Sequence, residues 1–337
     1  MLVLNIATVT DTTTNPGRVP PEGINSMKEL VVISAKDGKG KTVLASGLFH
    51  LANDVVAVDF DIITDSRDEF EAHNFSRVIP NNVLEVTPYG LDKARINPHL
   101  CVRCGECLDA CPNKAIRYSV RSKTKSPKVN VKLCDGCGTC ASVCPEGGIQ
   151  VEPMQAGCVY HTQTSAGKHL FYGFLQMGAG IQSSTVRRLR NLALQMAMEQ
   201  PVELVISDGS LEISAPASAS LLQNDLAIIV TEPTPLGFQD LYWMVELGKR
   251  FGVNMAVVIN MPTMEQSYLA EVKGYVEEEG LPLLGLIPYD PTVGEAMETK
   301  HSVVETNPNG PAATAIKQIW DKLRVLLELK QPSLPVH

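Results

Sequence analysis

Residues 30–44 read LVVISAKDGKGKTVL, a run of β-branched residues followed by a loop rich in glycine and lysine. Two glycines, at positions 38 and 40, give a loop whose backbone N–H groups point at phosphate. At this spacing Lys41 reaches the terminal phosphates and Thr42 binds Mg2+. The sequence therefore predicts a phosphate-binding loop between a strand and a helix. Its predicted nucleotide-contacting residues are Gly38, Lys39, Gly40, Lys41, Thr42 and Val43.

Five more short apolar runs repeat the pattern of the first strand, and each precedes a helix-like stretch. They are VVAVDF (55–60), LVISD (204–208), LAIIVT (226–231), MAVVIN (255–260) and LLGLIP (283–288). Continuous β-branched runs that alternate with helices are typical of a parallel sheet covered on both faces. The predicted fold class is α/β, a P-loop NTPase domain with a mainly parallel sheet and helices on both faces.

The phosphate-binding loop resembles that of the MinD-like (deviant Walker) P-loop ATPases, and specifically of those with an inserted ferredoxin domain. That family's loop reads G-K-G-G-x-G-K-T and aligns with AKDGKGKT at residues 35–42. The resemblance extends roughly over residues 28 to 300. It implies a site for ATP or ADP with Mg2+, and it implies that Lys36 is the signature lysine that crosses a dimer interface to the partner's nucleotide.

The same resemblance assigns roles to four residues outside the loop. The segment VDFD (58–61) matches the family's switch I, which implies that Asp61 organises the attacking water and that Asp59 supports Mg2+. Asp208 matches the switch II aspartate, and Asn260 falls where the family reads adenine. Lys36, Asp61 and Asp208 are therefore the candidate catalytic residues.

The sequence departs from the family pattern at two loop positions and in one segment after switch II. Ala35 and Asp37 replace glycines, and residues 210–212 (SLE) replace the usual Pro-Pro-Gly after the switch II aspartate. A carboxylate about 5 Å from a phosphate charge would repel it by about 3 kcal/mol at an effective dielectric constant near 20. Lys39 or Mg2+ could offset that repulsion, or Asp37 could point away. A degenerate P-loop that keeps its fold without turnover is the alternative to an ATPase.

Eight of the nine cysteines lie between residues 101 and 144, in two copies of C-x2-C-x2-C-x3-C-P. This is the ligand run of two-cluster bacterial ferredoxins, in which the fourth cysteine of each run reaches the other cluster. One predicted 4Fe-4S cluster has the ligands Cys101, Cys104, Cys107 and Cys144, and the other has Cys134, Cys137, Cys140 and Cys111. Zinc is the alternative, but a zinc site closes with four ligands and has no use for the third cysteine and the Cys-Pro in both copies.

Length and charge divide the chain into parts. Its 337 residues carry a formal net charge of −8, yet residues 93–150 hold ten Lys+Arg against four Asp+Glu, which leaves +6 there and −14 elsewhere. We predict a loose N-terminal extension (1–26), a P-loop domain (27–92 and 152–337) and an inserted α+β bacterial-ferredoxin domain (93–151). Because no secretory or membrane-spanning run is recognisable, a cytoplasmic location is expected.

Three further features have two interpretations each. The basic segment RYSVRSKTKSPKVNVK (117–132) either docks an acidic partner or is a solvated hairpin, and it lacks the interleaved aromatics of a nucleic-acid site. Cys158 is interpreted as a buried thiol rather than a ligand. The last helix has an apolar stripe that favours core packing over membrane binding, so no stable membrane insertion is predicted. The stripe is Ile316, Ile319, Trp320, Leu323, Leu326 and Leu327.

These motifs support three hypotheses about function. The first is an iron-sulfur protein that couples its nucleotide state to low-potential electron transfer or to the regulation of a redox partner. The second is a maturation or carrier ATPase for iron-sulfur or metal clusters, although no cysteine follows Cys158 to form the C-terminal C-x-x-C of Mrp-type carriers. The third is a non-hydrolysing subunit of a redox complex. A homodimer, or a heterodimer with a paralogue, is expected in each case.

Overall fold

The computed structural model describes residues 27–36, 38–64, 81–118, 126–175, 183–209, 215–262 and 266–329. The strands are β1 (Lys28–Ile33), β2 (Val55–Thr64), β3 (Asn81–Ile96), β4 (Ile116–Arg117), β5 (Lys128–Val129), β6 (Ile149–Thr164), β7 (His169–Leu175), β8 (Leu204–Asp208), β9 (Leu226–Thr231), β10 (Met255–Asn260) and β11 (Leu283–Ile287). The helices are α1 (Lys41–Leu51), α2 (Glu106–Asp109), α3 (Thr139–Ser142), α4 (Ser183–Glu199), α5 (Ala215–Leu221), α6 (Pro235–Phe251), α7 (Gln266–Glu278), α8 (Thr292–Glu298), α9 (Val303–Thr306) and α10 (Pro311–Leu326).

Nine of these strands form one sheet in the order β11-β10-β9-β1-β8-β2-β7-β6-β3. The seven strands from β11 to β7 run parallel, whereas β6 is antiparallel to both of its neighbours. All six predicted apolar runs are strands of this sheet. The prediction of a mainly parallel α/β fold is confirmed.

Strand β1 shows how both faces of the sheet are covered. Leu30 and Val32 pack into one hydrophobic core with residues of α1 and α10, whereas Val31 and Ile33 pack into another with residues of α6 and α7. All four side chains are buried. A strand that is buried on both faces is mostly apolar along its length, which is why the run from Leu30 to Ile33 lacks the alternation of a half-exposed strand.

A long antiparallel ribbon carries the cysteine-rich segment. Strands β3 and β6 pair from Asn81↔Thr164 to Ile96↔Ile149, with register shifts between Val83 and Glu85 and between Tyr89 and Gly90, but β6 pairs with β7 only from Gly157 onward. Residues 90–96 and 149–156 therefore continue past the sheet as two strands alone. Gly157 lies where the ribbon leaves the sheet, and a Cβ there would lie 1.9 Å from the carbonyl oxygen of Phe174. The predicted domain boundaries fall inside this ribbon, so paired strands rather than a linker join the two parts.

The apolar stripe of the last helix packs into the core. Ile316, Ile319, Leu323 and Leu327 are buried, Trp320 is half-buried and Leu326 is exposed. In the described part of the chain, no helix combines the length and the apolar character needed to cross a bilayer. The structure thus supports the core-packing interpretation of the stripe over the membrane-binding one.

Candidate functional sites

The phosphate-binding loop connects β1 to α1 at the carboxyl edge of the sheet. Gly38 and Gly40 have φ values of +76° and +89°, which side chains with a Cβ rarely adopt. Gly40 is the N-cap of α1 and leaves the first backbone N–H groups of the helix without a side-chain acceptor. Ala35, which replaces a family glycine, is buried and does not have a positive φ. The loop therefore keeps glycine at both described positions where its backbone requires one.

Lys41 lies beside three aspartates, Asp59, Asp61 and Asp208, which we call the carboxylate cluster. Its Nζ is 2.7 Å from Asp61 Oδ2 and 3.2 Å from Asp208 Oδ1, and Lys41 is almost fully buried. Burial alone lowers the pKa of Lys41, but Asp208 and Asp61 outweigh it and hold that pKa above its ordinary value. The lysine that is expected to bind phosphate is therefore paired with two aspartates.

The carboxylate cluster is suited to a hard divalent cation. The carboxylates of Asp59, Asp61 and Asp208 offer oxygen atoms within 4.8 Å of one another. Thr42 Oγ1 donates to Asp208 Oδ2 at 2.7 Å, and Asp61 N donates to Asp59 Oδ1 at 2.9 Å. Carboxylate and hydroxyl oxygens are the donors that Mg2+ prefers, so the residues present fit the ion that the P-loop implies. A bound Mg2+ would supply charge neutralisation for phosphate oxygens.

A cavity of about 630 Å³ opens beside the loop. Its walls include every predicted loop residue from Gly38 to Val43, together with Lys36, Asp61 and Asn260. The opposite wall, which the sequence did not reveal, comes from the segments after β10 and β11: Met261, Pro288, Tyr289, Val293 and Met297. Its volume lies within the range of small-molecule sites, and its apolar wall suits a flat ring next to the phosphate loop.

Asn260 also supports the loop itself. Its Nδ2 donates to the carbonyl oxygen of Lys39 at 3.0 Å, and a Cβ at position 40 would lie only 2.6 Å from that nitrogen. Lys39 forms an ion pair with Glu232, which lies directly after β9 and is buried. Sequence reasoning missed Glu232 because its partner is 193 positions away. Lys36 is exposed at the mouth of the cavity.

The cysteines gather around two separate cavities. One is lined by Cys101, Cys104, Cys107 and Cys144, and the other by Cys111, Cys134, Cys137 and Cys140. Each set combines three cysteines of one run with the fourth of the other run, which is the grouping that the sequence predicts. Each set also has one exposed thiol, Cys104 or Cys137.

Thiol crowding shows that these cavities suit an iron-sulfur group. Burial and the neighbouring Cys101 and Cys104 raise the pKa of Cys107 to about 11, and burial and Cys134 raise that of Cys140. Four sulfurs around one cavity are unfavourable as free thiolates, and cationic iron relieves that repulsion. The residues present therefore fit a thiolate-ligated cluster in each cavity.

Three consecutive residues of β3 contact the second cysteine loop, which carries Cys134, Cys137 and Cys140. Ala94 N donates to Cys134 Sγ at 3.4 Å, and Lys93 Nζ donates to the carbonyl oxygen of Cys134 at 2.6 Å. A Cβ at Gly136 would lie 2.4 Å from the carbonyl oxygen of Asp92. Lys93 is only 3% exposed. Burial lowers the pKa of Lys93, and the charges of Cys134 and Asp135 partly oppose that effect.

Comparison with known proteins agrees with both parts of the structure. The 4Fe-4S dicluster domain family matches residues 100–148. MinD from Pyrococcus horikoshii, complexed with Mg-ADP, has a similar structure, with a TM-score of 0.53 and 15% identity over 91% of this chain and 100% of that one. The chain thus has a MinD-type P-loop fold with an inserted 4Fe-4S domain.

Two curated relatives are more similar in sequence. An uncharacterized protein of Methanocaldococcus jannaschii is 26% identical over 303 residues, which cover 88% of this chain and 96% of that protein. The cytosolic Fe-S cluster assembly factor NBP35 of Kluyveromyces lactis is 31% identical over 114 residues, or 30% of this chain and 35% of the factor. The similarity to the first relative therefore extends over most of this chain and nearly all of that protein.

Every predicted site residue lies within the described residues. Loop residues from Gly38 to Val43 lie together with Lys36, Asp59, Asp61, Asp208 and Asn260 at one edge of the sheet, and the eight cysteines lie in two sets. Asp37, residues 210–212 and much of the basic segment (119–125) lie outside the described residues, as does the N-terminal extension. Cys158 is half-buried on β6, and neither cysteine cavity includes it.

Proposed function

We propose that this protein binds ATP and Mg2+ at the P-loop and two 4Fe-4S clusters on the insertion, and that its nucleotide state controls electron transfer through the clusters. The observation that carries this proposal is the strand connection between the two sites. The ribbon that holds the cysteine loops belongs to the same sheet as the strands that hold the aspartates. Within the described residues, the paired strands β2, β7 and β6 connect the two sites.

The path from the nucleotide site to the ribbon has three steps. Asp59 on β2 is paired with Tyr172 on β7, and Tyr172 is paired with Tyr160 on β6. The two tyrosine rings stack with centroids 4.9 Å apart. Strand β6 then runs with β3 to the cysteine loops, where Lys93 and Ala94 contact Cys134.

Nucleotide binding would change the ion pairs of the carboxylate cluster. MgATP brings phosphate for Lys41 and a cation for the aspartates, so Asp61 must exchange its bond to Lys41 for new partners. The pairing of β2 with β7 is irregular between Asp59 and Ile63, next to that bond. Irregular pairing of this kind is common beside active sites, where it lets a strand change its path locally. A shift of Asp61 would therefore act on β7 first.

The exposed Lys36 supports a dimer as the working form. Its side chain stands at the mouth of the nucleotide cavity. From there it is available to the nucleotide of a second subunit, either a second copy of this chain or a paralogue. A redox protein would contact the insertion, where Cys104 and Cys137 bring each cluster to the surface.

The direct test is the rate at which the reduced protein passes electrons to an oxidised viologen dye. With both clusters loaded, MgATP should change this rate several-fold relative to no nucleotide and to MgADP. Lys41→Ala, with cluster content matched to the unmodified protein, should remove the nucleotide effect. An equal rate in all three nucleotide states, with binding of MgATP demonstrated in parallel, would contradict the proposal.

A second function, cluster assembly, is favoured by the similarity to the assembly factor NBP35. Its chemical basis here is the exposure of Cys104 and Cys137, which leaves one ligand of each set open to exchange. Transfer of iron and sulfide to an apo-ferredoxin distinguishes the two functions. ATP-dependent transfer, with the donor losing its cluster spectrum in proportion, would favour assembly over electron transfer.

A further inference from the structure

Lys93 is a buried cation that the nucleotide chemistry does not use. Its side chain lies between the ribbon and the second cysteine loop, with Nζ 2.6 Å from the carbonyl oxygen of Cys134. The anionic groups whose charges act on it are Cys134 and Asp135. A buried ammonium is costly unless an opposite charge lies close by. The thiolate-ligated group expected at Cys134 supplies such a charge.

Hydrogen bonds to sulfur are also unequal between the two cysteine sets. In the set around Cys134, backbone N–H groups reach Cys134 at 3.4 Å and Cys111 at 3.2 Å, and the Thr139 hydroxyl lies 3.4 Å from Cys137. Among the described residues, the set around Cys101 receives one such bond, from Gly148 N to Cys144 at 3.3 Å. Hydrogen bonds to the ligand sulfurs raise the reduction potential of a cluster.

Other charged residues at the cavity walls do not separate the two sets. Each cavity is lined by one carboxylate, Glu146 around Cys101 and Asp135 around Cys134. Arg103 also lines the cavity around Cys101, but it is exposed, so water and salt screen its charge, whereas Lys93 is buried. One thiol is exposed in each set, so solvent access alone does not separate them.

We propose that the two clusters have different potentials and that Lys93 makes the cluster held by Cys111, Cys134, Cys137 and Cys140 the first to be reduced. This inference rests on the two-cluster assignment of the proposed function. The step is the transfer of one electron from a low-potential donor to that cluster, with no bond broken and no proton bound. The first electron then resides on the cluster that contacts the ribbon strand β3.

The test is a reductive titration of the full chain followed by EPR, with iron content measured in each sample. The unmodified protein should show two reduction steps. Lys93→Met should move the step of higher potential to a more negative value, whereas Lys93→Arg should leave it near its original position. The matched control is Lys132→Met, which removes the same charge two residues from Cys134 but at an exposed position.

Ligand variants assign the steps independently of Lys93. Cys137→Ser should alter the first step and Cys104→Ser the second, which keeps the inference testable if Lys93→Met fails to fold. A first step altered by Cys104→Ser, or unmoved by Lys93→Met in a protein with full iron content, would overturn the inference. Iron and fully reduced spectra that account for fewer than two clusters would instead contradict the proposed function.

Discussion

The nucleotide site and the cysteine module hold their charged groups in opposite ways. At the P-loop, Lys41 is paired with Asp61 on β2 and Asp208 on β8, and Lys39 is paired with Glu232, so each of these lysines has a carboxylate partner within the protein. The buried core of the module is small, and three of its seven residues are cysteines. The strands of the sheet hold the first site, whereas we expect the second to depend on its ligand for stability.

The largest expected effect is the loss of the module on removal of iron. Chelation of iron under reducing conditions should expose the amides of residues 97–148 to hydrogen exchange, because few apolar contacts remain to order them. The buried strands β1, β8 and β9 should keep their protection and serve as the internal control. Equal loss of protection in the two regions, or no loss in either, would contradict the expected difference between the module and the sheet.

A smaller but still large effect should follow from Lys41→Ala. This change leaves Asp208, which is fully buried, and Asp61 without their cation, and breaking a buried pair in this way costs about 3–5 kcal/mol. We expect that loss in the free energy of urea unfolding, together with loss of nucleotide binding. Lys36→Ala is the matched control, since Lys36 is exposed and its removal should change stability by less than about 0.5 kcal/mol.

The two loop glycines separate backbone strain from crowding. Both have a left-handed backbone, so alanine at either position costs about 1–2 kcal/mol. Nothing lies within 4 Å of a Cβ at Gly38, but a Cβ at Gly40 meets Asn260. Gly40→Ala should therefore destabilise more than Gly38→Ala in urea unfolding. Adding Asn260→Ala to Gly40→Ala should restore the stability lost in excess of that of Gly38→Ala. If the double variant is no more stable than Gly40→Ala, crowding is not the cause.

The smallest effect concerns Glu232. Bound phosphate must compete with this carboxylate for Lys39, so Glu232→Gln should tighten the binding of MgATP by up to about tenfold, or about 1.4 kcal/mol. Isothermal titration calorimetry measures this directly, and Lys39→Met should make binding insensitive to the Glu232 change. Weaker binding by Glu232→Gln would mean that the ion pair shapes the loop for phosphate rather than competing with it.

Local patterns predicted the parts of the fold whose determinants are close in sequence. The cysteine runs and the strands β1, β8, β9 and β10 could be recognised because ligand spacing and continuous burial are properties of a few neighbouring residues. The ribbon was missed, since Val83, Leu84 and Val86 are all exposed and β3 has no alternating pattern. Its stability comes from pairing with β6, more than fifty residues further along the chain.

The site residues that could be predicted also have their determinants close in sequence. The loop, the aspartates on β2 and β8 and the cysteines were predicted, whereas Glu232 and Lys93 were not. Their partners lie 193 and 41 positions away. A lone charged residue in or next to a strand is usually exposed, and only the fold shows that these two are buried.

The most direct test of the central claim is the EPR spectrum of the reduced clusters with and without MgATP. The proposed coupling requires that nucleotide at the P-loop changes the ribbon and, through Lys93 and Ala94, the surroundings of Cys134. We predict that MgATP shifts the reduced cluster signals in the unmodified protein and not in Lys41→Ala. Two intact cluster signals that do not respond to saturating MgATP would contradict the claim and leave the clusters and the P-loop as independent sites on one chain.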